Sequence, residues 1–318
     1  MMNEHVNEVK PETEEATRTY APPPNPLMAR FNKMPPETFR LPSGGVTYTN
    51  GELDEEVVNG EVLVYPMTTV DEITMRSPDM LFQGSAIEKV FQRCMPQIKK
   101  PMDLLSNDVD YLLVCLRMVT YGSELDIYWN CPKCGNDKEI IPESSTDEHR
   151  IDQRREGEES SYTELVNVKP TYQINLNKFL RDTVPFDPNL DDYKFTVATG
   201  EEIELRPSTF KEMLTLFQYD MTKIETPEEM ADFIIDTLLS VIKSVNGVTN
   251  KEHIREWALA CEAPVIDEMQ EYIQVANDWG TSKEYEFKCK KCSYESKTEI
   301  PLNPIHFFTV PSTKKTKQ

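Results

Sequence analysis

Cys131-Pro-Lys-Cys134 and Cys289-Lys-Lys-Cys292 are the residues of this chain whose types and spacing are suited to chemistry. A two-residue gap lets both sulfurs of a tight turn face one ion while turn amides point at the thiolates. Each pair follows an alternating segment, residues 125–129 and 284–287, and precedes polar turn residues and then an Ile-Pro pair, at 141–142 and 300–301. That is the local pattern of a zinc knuckle. Two knuckles supply four thiolates, the full tetrahedral set of a structural zinc. Cys131, Cys134, Cys289 and Cys292 are therefore expected to be metal ligands, with zinc as the cofactor. A site of four cysteines has no open position, so the ion would hold structure and not catalyse. Two metal-free dithiol turns, or a redox pair, are the competing readings. A thioredoxin-like pair sits between a strand and a helix, whereas both pairs here sit between expected strands. Whether one ion serves both pairs is open at the level of sequence. If it does, it closes a loop spanning residues 135–288, adding entropic stabilisation on the order of a few kcal/mol.

The remaining cysteines, Cys94, Cys115 and Cys261, fall on apolar helix faces and read as inert core residues. Of the four histidines, His5 and His149 lie in polar stretches, His253 on a helix and His306 after the last strand, and none suggests a fifth ligand. There is no Gly-rich phosphate loop, no Gly-x-Ser-x-Gly, no His-Glu-x-x-His and no dinucleotide fingerprint. Asp191-Asp192 and Glu201-Glu202 are adjacent acids beside expected strands or turns. Neighbours on a strand point to opposite faces, so they read as solvated charges. No nucleophile, base and orienting group come together, and the chain is not expected to be an enzyme.

The chain has 318 residues with a net charge of −21. Nucleic-acid affinity comes mostly from neutralised phosphates, so this balance argues against a nucleic-acid partner, as it does against a polybasic membrane anchor. The longest aliphatic run, residues 111–116, is far shorter than the roughly 20 residues a membrane helix needs. The acidic first residues do not resemble a signal peptide, and a reducing cytosol is expected. With 38% of its residues apolar and in periodic blocks, the chain is neither collagen-like nor wholly disordered.

The elements that must position the cysteines are legible as punctuation. Residues 1–38 form a proline-rich arm in which Leu27, Met28, Phe31 and Met34 could serve as apolar anchors. Residues 39–142 form an N-terminal α+β half with the first knuckle, and residues 143–170 an acidic linker or insertion. Residues 171–302 form a C-terminal α+β half with the second knuckle, and 303–318 a tail. In the first half, Ser43-Gly44-Gly45 is a turn and residues 62–65 a strand. Thr69 and Glu72 suggest a capping box, and Ser77-Pro78 starts a helix reaching about residue 95. A third helix, capped by Asn107 or Asp108, runs to Tyr121 and stops at Gly122. It is apolar nearly all round, with Asp110 and Arg117 on one face that is expected to meet solvent or to form an internal contact. In the second half, strands are expected at 172–176, 193–197 and 202–205. Thr209 and Glu212 form a second capping box, and Thr226-Pro227 starts a helix whose apolar stripe runs through Val245. Residues 250–279 are helical with a break at Pro264. The fold class is α+β: helical bundle segments, small antiparallel sheets and a split four-cysteine zinc ribbon.

Several stretches together resemble a known family. They are Phe39-Arg-Leu-Pro-Ser-Gly-Gly45, Tyr65-Pro-Met-Thr-Thr-Val-Asp-Glu72, Asp110-Tyr-Leu-Leu-Val-Cys-Leu-Arg117, Thr120-Tyr-Gly-Ser123 and Trp129-Asn-Cys-Pro-Lys-Cys-Gly135. The chain is similar here to the T4-type bacteriophage baseplate proteins, the group that contains the small hub subunit and hub-assembly proteins. The second knuckle departs from the pattern, with Lys290 and Ser293 where the first has Pro132 and Gly135. The resemblance implies a non-enzymatic structural or assembly component of a contractile tail baseplate, made in the host cytoplasm, and leaves open whether the chain stays in the finished virion tail or acts only in assembly. It implies partners among the other baseplate and tail subunits, tape-measure or hub proteins included. The alternative reading is a zinc-ribbon factor acting on nucleic acid or in transcription, which the charge disfavours.

Overall fold

Glycine at position 84 divides what the sequence presents as one long helix. Ser77-Pro78 does open a helix, but α2 spans only Pro78–Phe82, and α3 begins afresh at Ser85–Cys94. Gly84 between them has φ +74°, and a Cβ there would lie 2.2 Å from Leu214 Cδ1. The left-handed turn lets α2 and α3 diverge and admits Leu214 from a helix more than a hundred residues later. Gly84→Ala is expected to cost about 2–4 kcal/mol, from backbone strain plus overpacking, as read by urea denaturation.

The computed structural model describes residues 34–135, 171–189, 193–217, 226–300 and 308. The arm up to residue 33, the linker at 143–170, Ile141-Pro142, Asp191-Asp192, His5, His149, His306 and most of the tail fall outside the described residues. The chain divides into two units, Met1–Met34 and Pro35–Gln318, and the described helices and strands all belong to the second.

These elements are runs of helices and small antiparallel sheets, as an α+β fold has. β1 (Glu37–Arg40) pairs antiparallel with β2 (Glu61–Val64). Then come α1 (Thr69–Met75), α2, α3 and the long α4 (Ser106–Tyr121). β3 (Glu124–Tyr128) pairs antiparallel with β4 (Thr171–Asn175), followed by α5 (Asn177–Arg181). β5 (Lys194–Thr196), β6 (Glu202–Leu205) and β7 (Ile242–Val245) make a three-stranded antiparallel sheet. α6 (Phe210–Phe217) and α7 (Pro227–Val241) lie between β6 and β7. The chain continues through α8 (Lys251–Ala260) and α9 (Ala263–Ala276) to the hairpin of β8 (Glu284–Lys288) and β9 (Glu295–Glu299). The sheets and helices match the expected class. No described helix is long and apolar enough to cross a membrane.

Several boundaries differ for identifiable reasons. The first capping box is Thr68 with Asp71, not Thr69 with Glu72: Thr68 accepts from the Asp71 amide, and Asp71 accepts from the Thr68 amide at 2.9 Å. Both registers offered a threonine and an acid. Asp71 prevails because its side chain is also the buried partner of Arg93. Burial alone would raise the Asp71 carboxyl, but the Thr68 and Arg93 contacts outweigh it and hold it below the usual range. The apolar stripe after Thr226 does not stay helical to Val245. It ends at Val241, and Ile242–Val245 joins the sheet as β7 beside β6. Ile242 and Val245, separated by Lys243 and Ser244, fit a helical stripe as well as a strand, and the open edge of β6 decides it. The second capping box forms as expected. Glu212 accepts from the Thr209 amide, and it also binds Arg206 and Lys251.

That Glu212 cluster has a measurable acid signature. Burial would raise its carboxyl, but the Arg206, Thr209 and Lys251 contacts prevail and bring it down to about 2. A depressed acid contributes stability above its unfolded pKa, and this is lost as pH falls. The window here runs from about 4.5 down to about 2. Glu212→Gln is expected to remove about 2 kcal/mol at neutral pH, allowing for solvent screening, and to flatten the pH dependence of stability across that window. Thermal denaturation at a series of acid pH values checks it.

Two apolar clusters carry the packing. The larger is centred on α4, with Val109, Leu112, Leu113, Leu116 and Cys115 buried. It draws in β2, α3, β3 and β4, together with Phe210, Leu214, Phe287, Ile300 and Phe308 from later in the chain. The second is formed by the β5–β6–β7 sheet and α7–α9, where Phe195 stacks on Tyr272 at 3.8 Å. Backbone pairs join the regions: Ser106 donates to the Ser208 carbonyl, Phe210 to that of Leu104, and Val184 exchanges bonds with Gly280.

Asp110 and Arg117, the polar face of α4 beyond its first turn, both find partners within the protein. Arg117 is buried, its guanidinium 4.4 Å from the centre of the Tyr121 ring. Asp110 pairs with Lys283 at 2.8 Å. Of the two expectations for this face, the internal contact holds. Asp108 is not the cap of α4, and neither is Asn107: the N-cap is Leu105, and Asp108 lies one turn in. Fully buried, Asp108 accepts from the Ser43 amide, the Ser43 hydroxyl and the Tyr48 hydroxyl, so it ties the Ser43 turn to the start of α4. Burial pushes its carboxyl up, against the lowering effect of those donors.

Candidate metal centre

Each cysteine pair is presented by a tight turn that its own backbone closes. In the first, the Gly135 amide donates to the Cys131 carbonyl at 2.9 Å. In the second, the Ser293 amide donates to the Cys289 carbonyl at 3.0 Å, and the Cys289 amide to the Tyr294 carbonyl at 2.8 Å. Gly135 has φ +62° and Ser293 φ +56°. The second knuckle thus keeps the turn of the first, with a serine held in the left-handed region where the first knuckle uses glycine. The departure in sequence leaves the geometry intact.

The turns face one another. Cys131 Sγ lies 3.6 Å from Cys292 Sγ, and Cys134 Sγ lies 3.6 Å from Cys289 Sγ. All four sulfurs fall within 4.8 Å of one another. Zn–S bonds of about 2.3 Å in a tetrahedron put sulfurs roughly 3.8 Å apart, so the spacing fits one four-coordinate ion bound by thiolates alone. Cys131 and Cys289 are buried, while Cys134 and Cys292 are partly exposed.

The turn also favours the thiolate form. The Cys289 thiol is brought down to about 6, chiefly by the Cys292 amide. The Lys291 amide and the thiols of Cys134 and Cys292 assist, and they outweigh the opposing effect of burial. The other three cysteines go the opposite way. Burial pushes Cys94 up to about 12, and raises Cys115 and, more mildly, the part-exposed Cys261. The division of the cysteines into a clustered set and inert ones is therefore seen in geometry, and Cys289 differs from the inert three in acidity as well.

What holds the turns together is an aromatic stack that motif reading missed. Trp129 stacks on Phe287 at 4.9 Å, and Tyr172 meets both rings edge-on at 5.2 and 5.9 Å. Trp129 Nε1 donates to Thr298 Oγ1 at 3.0 Å. Tyr172 contributes further: its hydroxyl accepts from the Lys290 amide at 3.3 Å, and the Lys290 ammonium sits 4.9 Å from its ring centre. The sequence did hold a signal. Trp129 and Phe287 each stand two residues before the first cysteine of their pair, the same face of equivalent strands. Tyr172 had none, since only the pairing of β4 with β3 brings it there.

The site residues named from sequence, Cys131, Cys134, Cys289 and Cys292, are thus brought together. Glu201 and Glu202 stand apart from them: Thr199 donates to Glu201, and Glu202 lies on β6. His253 is exposed on α8.

A protein-family profile described as T4 bacteriophage base plate protein matches residues 52–309. The match spans both cysteine pairs and most of the chain. No curated protein and no solved structure matches the chain significantly.

Proposed function

Because the chain belongs to the T4 bacteriophage base plate protein family, we propose that it is a hub or hub-associated component of a contractile tail baseplate, non-enzymatic and locked by a structural zinc. Family membership gives a structural part of the phage tail that associates with other tail or baseplate proteins. The finer reading is that Cys131, Cys134, Cys289 and Cys292 all ligate one Zn²⁺. The observation that carries it is the convergence of four sulfurs within 4.8 Å from turns more than 150 residues apart. Zinc supplies a redox-inert, tetrahedral cross-link. Four thiolates fill its coordination, so the centre fastens the turn after β3 to the β8–β9 hairpin. Lys133, Lys290 and Lys291 in the turns offset the excess negative charge of a tetrathiolate centre.

In this reading residues 39–142 and 171–302 are two α+β halves held by the ion, with 143–170 as the linker. Partners are neighbouring baseplate and tail subunits, and assembly takes place in the host cytoplasm. The net charge of −21 gives no support to a nucleic-acid reader, whose binding would weaken steeply with salt. Two measurements test the proposal. Metal analysis of the purified chain should find one zinc per chain, removable only with loss of structure. Mass spectrometry of purified tails and of assembly intermediates, with crosslinking, should place the chain beside hub subunits. Zinc absent from folded protein would reject the metal assignment, and a chain found only beside peripheral baseplate subunits would reject the hub.

A further inference from the structure

A cleft of about 360 Å³ opens between the Ser43 turn and the segment around residues 180–188. Its walls include Pro42, Pro185 and Pro188 with the rings of Tyr111 and Phe186, and Arg40 stands at its edge. Polar residues share the lining, but prolines carry no N–H and the Ser43 and Thr183 hydroxyls already donate to Asp108 and to the Phe179 carbonyl, so beside Arg40 few donors are free. Arg40 is exposed and pairs with no carboxylate among the described residues; its cross-strand neighbour is Glu61.

The cleft is also fixed in shape. The Ser43 turn is held from beneath by buried Asp108. Leu41 donates to the Gly60 carbonyl, and Phe186 to that of Pro42, both at 2.9 Å, so the two walls are bonded to each other. At Gly60 a Cβ would lie 2.6 Å from the Gly44 carbonyl carbon, so the backbones here touch. A buried carboxylate spent on holding one turn makes sense where that turn must keep its form.

We infer that this cleft seats an extended segment of a neighbouring baseplate subunit, one carrying a proline or other apolar side chain beside an acidic residue that engages Arg40. This rests on the baseplate reading above, which supplies the neighbour. Aromatic-lined grooves recognise extended, proline-containing strands, which have little conformational freedom to lose, and Tyr111 and Phe186 supply the rings here. A guanidinium binds a carboxylate with two parallel hydrogen bonds and so fixes register. On a chain of net charge −21, general attraction draws basic surfaces. A carboxylate is welcome only where a cation stands unpaired, which makes Arg40 a register mark.

The test places a benzophenone amino acid at Val46, an exposed residue of the cleft wall, in the full chain produced during infection. After irradiation, the crosslinked peptide is sequenced from tails and from assembly intermediates. The expected product is one segment of one tail subunit, with Asp or Glu within a few residues of proline or an apolar side chain. Arg40→Glu should lower its yield at least tenfold and Arg40→Lys less, and reversing the partner's acid to lysine should restore it. Circular dichroism of Arg40→Glu should match the parent, since the residue is exposed. A silent Val46 probe overturns the proposal if the same probe at exposed Phe217 reports a neighbour. So does a yield indifferent to Arg40→Glu, or a small molecule retained in the cleft by native mass spectrometry. A chain missing from tails and from their intermediates removes the baseplate reading itself, whereas a chain present with a silent cleft removes only this inference.

Discussion

Cys131→Ser and Cys289→Ser should each lose the metal and destabilise the protein by about 5 kcal/mol or more, to the point that much of the protein is unfolded at 37 °C. Structural zinc in small domains binds with apparent free energies of roughly 10–16 kcal/mol, and that binding is folding energy because the unfolded chain offers no formed site. A serine hydroxyl does not replace a thiolate, so the affinity falls far enough for the ion to be lost, and the forfeited energy is large against the typical 5–15 kcal/mol stability of a domain. The control is Cys94→Ser. Cys94 is as buried as Cys131, and its thiol packs in the apolar core with a hydrogen bond to Asp71 at 3.8 Å, so about 1 kcal/mol is expected. Denaturant titration together with zinc analysis of the three variants decides the matter. Equal losses, or a serine variant that keeps its zinc, would reject the shared site. A chelator in excess should reproduce the cysteine variants and leave Cys94→Ser no worse than the parent.

The second large effect belongs to Asp108, which no motif marks. Asp108→Ala would leave the Ser43 amide, the Ser43 hydroxyl and the Tyr48 hydroxyl without their acceptor inside the protein. Each buried donor left unpaired costs about 1–3 kcal/mol, moderated where water enters the space. A total of about 3–5 kcal/mol is expected, comparable to breaking a buried charge network. Asp108→Asn keeps the shape but turns one acceptor into a donor facing donors, so it should cost about 2 kcal/mol or more. Urea denaturation reads both. A loss below 1 kcal/mol for Asp108→Ala would mean that the Ser43 turn holds itself.

The cysteine convergence was legible because its parts are local: two residues between thiols, a strand before each pair, a turn after. Their meeting was only implied by the need for four ligands. The helices were legible in position better than in extent, and α5 was not marked at all. Thr226-Pro227 with Glu229 signals a start that no neighbour disputes, whereas Thr68 and Thr69 offer two registers that only the burial of Asp71 beside Arg93 separates. Gly84 and β7 were hidden for the same reason. What selects them, Leu214 against the glycine and the edge of β6 beside Ile242, comes from distant parts of the chain. Asp108 reads in sequence as a helix cap because the residue type suits one. Its real partners lie 60 and 65 residues earlier, and nothing in the local pattern points to them.

The distance between the cysteine pairs also sets a clock. Cys134 and Cys289 are 155 residues apart, and at about 5–20 residues per second a ribosome needs roughly 8–30 s to deliver the second pair after the first. Throughout that interval the nascent chain carries two uncovered thiols and a Trp129 ring lacking the Phe287 against which it later stacks. The last part to be translated is thus the part that completes the first, and a ribosome that stops early leaves a product without the second half of its four-cysteine cluster.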